Sequence, residues 1–124
     1  MKMDVDLFRG ILLRAEEKCM GNIPVKFSQA DFPEYAHEQI IEHVHLLHEA
    51  GYVEKTNRAT RFDCYIMRVT FKGHEFISNI RDENLWGQTK QAARKAGSMS
   101  LDVIKSIAVN VAVAAATSVL PSGA

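Results

Sequence analysis

Cysteine, proline and excess charge are all scarce in this sequence. The two cysteines, Cys19 and Cys64, lie outside any CxxC pair and are too few for a disulfide framework, so a reducing cytoplasm is the expected setting. Three prolines and 24% charged residues exclude the composition of a disordered chain. The 15 Lys and Arg balance 15 Asp and Glu, which removes the simplest argument for nucleic-acid binding without excluding a local basic patch. At 124 residues the chain is too short for an α/β barrel and has no repeat period. Asp4 and Asp6 stand where a secretory signal needs basic and then apolar residues, so no export signal is expected. There is no nucleophile elbow, P-loop, HExxH or glycine-rich nucleotide fingerprint, and no enzyme is expected. Cys64 falls within an expected strand, where a small apolar role outweighs a nucleophilic one.

What is present is one globular domain's worth of amphipathic segments. Asp4 is a suitable N-cap for a helix carrying Phe8, Ile11, Leu12, Ala15 and Cys19 at helical spacing, expected to end at Met20 with Gly21 beyond it. Ile23, Val25 and Phe27 alternate as in a short strand. A second helix is expected from about Ala36 to Ala50, stopping at Gly51. With Val44 at its centre, its inner face takes Ile40, Ile41, Leu47, His37 and His48. Tyr52 to Thr56 and Phe62 to Phe71, joined by the polar turn Asn57 to Thr60, predict a β-hairpin.

Beyond the hairpin, Phe76, Ile77 and Ile80 keep helical spacing that Leu85, Thr89, Ala92, Ala93 and Ala96 continue past Asp82 as far as Gly97. Ser100 can cap a last helix with Asp102 in its first turn and Leu101, Ile104, Ile107, Ala108, Val111 and Ala115 along one side. Helix, strand, helix, hairpin, helix is the order of a winged helix-turn-helix domain. The expected fold is therefore α+β and mostly α, with a winged-helix domain over 1–82, a helix over 83–97, and a hydrophobic helix and tail over 98–124.

Several motifs carry a family resemblance: Met3-Asp4-Val5-Asp6-Leu7 with Arg9, His45-Leu46-Leu47-His48-Glu49-Ala50-Gly51-Tyr52-Val53, Val69-Thr70-Phe71-Lys72-Gly73-His74-Glu75-Phe76, Ile80-Arg81-Asp82, and Trp86. Together they resemble a family of small bacterial and phage winged-helix proteins known as a domain of unknown function, family twenty-five thirteen. The resemblance covers about residues 3 to 108. It implies a winged-helix fold and a phage, prophage or bacterial defence setting, and it brings no catalytic residues. Fold alone does not give function.

His45 and His48, three apart on a helix with Glu42 and Glu49 nearby, invite a metal reading, but no second ligand pair accompanies them. Hydrogen-bonded histidines are the expectation, with no metal and no cofactor. A winged helix raises the prospect of DNA, yet no Lys or Arg occurs between Ala36 and Val53, and Glu38, Glu42 and Glu49 line the outer face of the second helix. Leu46 points outward among them, which suits a protein partner better than DNA. Positive charge concentrates instead at the wing, in Lys55, Arg58, Arg61, Arg68 and Lys72, offset by Glu54 and Asp63.

The least ordinary segment is IAVNVAVAAATSVL, Ile107 to Leu120, uncharged throughout and broken only by Asn110 as far as Ala116. A helix apolar on all sides must be buried, and its alanines permit close helix contact. Burial in a homo-oligomer through Ile107, Val109, Val111, Val113 and Leu120 is the leading expectation. Burial in the chain's own core is the second. Membrane insertion is the third, because 14 uncharged residues fall short of the roughly 20 that span a bilayer.

Overall fold

A computed structural model describes residues 2–56 and 64–119. The chain is α+β and mostly helical, and it divides into two compact units, Met1–Ile77 and Ser78–Ala124. In order along the chain come α1 (Val5–Lys18), β1 (Val25–Phe27), α2 (His37–Glu49), β2 (Val53–Lys55), β3 (Cys64–Val69), α3 (Phe71–Ile80), α4 (Glu83–Ala96) and α5 (Leu101–Val119). The strands form an antiparallel sheet in the order β1-β3-β2, with Val25 opposite Ile66 and Val53 opposite Val69.

Asp4 caps α1 as its sequence position predicts, its carboxylate accepting from the Asp6 and Leu7 N–H groups at 2.9 and 3.0 Å. The helix ends at Lys18, short of Met20, because Cys19 is already extended and Gly21 takes φ +87° in the following turn. Met20 and Ile23 are left exposed, and the strand is correspondingly short. At the start of α2, Ala36 has no capping side chain, and Gln39 Oε1 reaches back to accept from the Ala36 N–H at 3.0 Å. Gly51 at φ +82° closes the C-terminal end of α2, as expected.

The core of the first unit combines Leu7, Phe8, Ile11 and Leu12 of α1 with Phe27, Ile40, Val44, Leu47 and Ile66. Each such side chain, fully buried, contributes roughly 1.5–3 kcal/mol. Tyr52 and Phe76 stack at 5.0 Å with 10° between their planes, and Phe8 meets both edge-on.

Two expectations change here. Phe71 is not the end of a strand: it opens α3 and is 77% exposed, because the Thr70 hydroxyl accepts from the Gly73 N–H at 3.1 Å and starts a helix. The helical pattern running past Asp82 is two helices rather than one. The Asp82 carboxylate accepts from the Leu85 N–H at 2.9 Å and caps α4 as a new helix.

In the second unit, Gly97 at φ +77° ends α4, with the Ser98 N–H bonded to the Ala93 carbonyl at 3.2 Å. Ser100 starts α5, accepting from the Val103 N–H at 3.4 Å. Helices α4 and α5 pack together as a hairpin.

Candidate interaction surfaces

Among the described residues, the three basic residues assigned to the wing each meet a different neighbour. Arg68 bonds through Nη1 to Glu54 Oε1 at 2.9 Å, both side chains about half exposed, so the pair neutralises itself on the sheet surface. Lys55 Nζ donates to His45 Nδ1. Lys72 belongs to α3 rather than to the hairpin, and its ammonium lies 5.4 Å from the Tyr52 ring centroid. Arg58 and Arg61 lie outside the described residues.

On α2, Glu38, Glu42 and Glu49 are exposed as expected, whereas Leu46 is half-buried rather than fully outward. The inner face is rotated relative to the expected one. His48 is exposed, with Nδ1 3.2 Å from the Val53 carbonyl, and His37 is half-buried. The fully buried histidine is His43. Its Nε2 accepts from the Asp4 N–H at 2.9 Å, which fixes the hydrogen on Nδ1, 2.7 Å from the Gln39 carbonyl. Sequence periodicity ranked His37 and His48 above His43 because His43 falls about 100° from Val44 on a helical wheel. The missing information was a backbone donor 39 residues away. Among the described residues no three His, Cys, Asp or Glu side chains gather as a metal site.

The α4–α5 hairpin carries an apolar groove. A groove of about 570 Å³ runs between the two helices, lined by Leu85, Gln88 and Ala92 from α4 and by Ile107, Asn110, Val111, Ala114, Ala115 and Ser118 from α5. Of the five residues expected to oligomerise, Ile107 and Val111 line this groove, while Val109 and Val113 are exposed outside it at 41% and 58%. Leu120 lies outside the described residues. Only Ile104 and Ala108 are buried among residues 101–118. That segment is long and apolar enough to cross a membrane by length and composition. Leu85 and Ala92 belong to the helical spacing expected here, whereas Gln88, polar and outside that apolar pattern, lines the groove as well.

Cys19 is half-buried, its thiol donating to the Ile66 carbonyl at 3.5 Å, and burial pushes its pKa up to about 11. It is therefore a protonated packing residue at neutral pH rather than a nucleophile.

These elements define a mostly helical α+β protein with a small antiparallel sheet. Its chain matches the family described as Hypothetical protein (DUF2513) over residues 2–100, and it belongs to that family. The match stops one residue before α5 begins at Leu101. No curated protein and no solved structure matches the chain.

Proposed function

We propose that this protein is a non-enzymatic interaction module in which a winged helix-turn-helix domain is joined to a self-associating helical hairpin. The observation that carries the reading is α5, an apolar helix of 19 residues with only two buried among residues 101–118. Apolar area of this extent on one helix is the mark of a surface that meets another molecule.

The winged-helix part of the reading is supported by the order α1-β1-α2-β2-β3 and by the strand order β1-β3-β2, although turns within 29–34 stand where the first helix of a helix-turn-helix runs. In that reading α2 occupies the recognition position and β2–β3 forms the wing. Its exposed carboxylates repel phosphate, and the described wing cations are already engaged. We therefore read the α2 face as a contact for a basic protein surface, and DNA contact through Arg58 and Arg61 as the alternative. A cytoplasmic setting and a phage, prophage or defence locus belong to the same proposal. A neighbouring gene for a nuclease, reverse transcriptase or toxin would support it.

Size-exclusion chromatography with light scattering tests self-association. The full chain should elute as an oligomer whose mass falls on dilution, and a monomer at every concentration would contradict the reading. The membrane alternative is favoured by the span-length apolar segment Leu101–Ser118. It predicts instead that the chain floats with lipid vesicles.

A further inference from the structure

We propose that the partner seated in the α4–α5 groove is a second copy of this chain, and that Asn110 fixes how the two copies align. The inference rests on the self-association reading and adds the surface, the symmetry and the residue that sets the register.

Three observations select a second copy over other occupants. Among the described residues lining the groove none is ionisable, so two identical faces can meet without like charges opposing each other. At 1.5 Å per residue α5 is about 28 Å long, and two helices at a spacing of roughly 9 Å present a face of about 500 Å². Doubled, this reaches about 1,000 Å², the least that a specific interface needs, whereas the stripe of α5 alone falls short. Two hairpins joined in this way form a four-helix bundle.

The third observation is the placement of polar groups. Thr117 and Ser118 return their hydroxyls to the Val113 and Ala115 carbonyls, each at 2.8 Å, so their surfaces behave as apolar ones. Among the groove-lining residues of α5, Asn110 is different, and Gln88 of α4 is the groove's other amide. Asn110 lines the groove in the middle of the apolar run, and among the described residues its amide is not used by the helix backbone. In lipid this amide would lose water without gaining a partner. Across a two-fold axis it meets its own copy, and an amide is both donor and acceptor, hence self-complementary. An antiparallel crossing at Asn110 also sets Ile107, one turn before it, toward Ala114 of the second copy, one turn after, so large meets small. A single buried Asn in an apolar helix interface sets register and stoichiometry at a cost in affinity.

The test uses the full chain and three variants, with the oligomeric state measured by sedimentation equilibrium and folding checked by circular dichroism. Ala114 is exposed in the single chain, so Ala114→Glu leaves the hairpin folded. It should weaken association at least 100-fold. Val113→Asp, outside the groove, should leave the dimer intact. Asn110→Leu should associate at least as tightly but populate several species instead of one. An Asn110→Leu chain that forms the same single dimer with unchanged affinity would overturn the role of Asn110. Dissociation by Val113→Asp together with no effect of Ala114→Glu would overturn the groove as the interface while leaving self-association standing. A wild-type chain that is monomeric in buffer and floats with phosphatidylglycerol-containing vesicles would overturn both.

Discussion

Gly73 packs against the carbonyl of Tyr52 so closely that a Cβ at this position would overlap the oxygen and come within 2.7 Å of Val69 Cγ1. The carbonyl cannot retreat cheaply, because it accepts from the Thr70 N–H at 2.9 Å, and Thr70 in turn donates its hydroxyl to Gly51 at 2.5 Å. The Val69 to Phe76 motif is thus a joint between the end of α2, the sheet and α3. Gly73→Ala should destabilise the protein by about 2 kcal/mol, even after the gain in helix propensity that alanine brings. Urea unfolding measures it, and a variant as stable as wild type would show that the joint is loose.

His43 ties α2 to the start of α1 through the Asp4 N–H, while the carboxylate of the same Asp4 caps α1. Replacing the ring by an apolar side chain of similar size leaves a backbone donor without its acceptor. His43→Leu should therefore cost about 1–3 kcal/mol although its site is fully buried. In a double-mutant cycle with Asp4→Ala the two losses should be non-additive by about 0.5 kcal/mol or more. Strict additivity would mean that the cap and the histidine act independently.

How much of this was legible beforehand depends on whether the cause was local. Asp4, Gly51, Gly97 and Ser100 act within a few residues of themselves, and each marks a helix end found in the structure. The Thr70 cap is also local, but the alternation from Phe62 onward extended the expected strand through Phe71. At Asp82 the apolar spacing continued across the break and concealed a cap. His43, the rotation of α2 and the part played by Gln88 depend on partners far away in the chain, which periodicity cannot report. Composition places cations near the expected wing, but whether a cation is free depends on geometry, as Arg68 beside Glu54 shows, and Lys72 belongs to α3 instead.

Cys19 carries a pH prediction. Burial raises its folded pKa from 9.0 to about 11, so above pH 9 the unfolded chain releases a proton that the native state retains. Its contribution to stability is complete below about pH 9 and is lost as pH rises toward 11. In a Cys64→Ser background, replacing Cys19 by Ser should flatten the decline in stability across that window. An unchanged decline would assign it to other groups.

The wing offers a comparison between engaged cations and those outside the described residues. Arg68→Ala, which removes a partner of Glu54, should change DNA affinity little. If DNA is bound at all, Arg58→Ala with Arg61→Ala should weaken it across sequences and lower the salt slope by about one per lost phosphate contact. Filter binding over a salt series measures both. A large loss with Arg68→Ala alone would mean that the ion pair opens to reach phosphate.

The central claim is that the α4–α5 groove is covered by a second copy, and isotope-filtered NMR tests it most directly. In a mixture of labelled and unlabelled full-length chains, the account predicts intermolecular contacts from the methyl groups of Ile107, Val111 and Ala114. Contacts confined to Val109 and Val113, or none between copies at concentrations where the protein is folded, would contradict it.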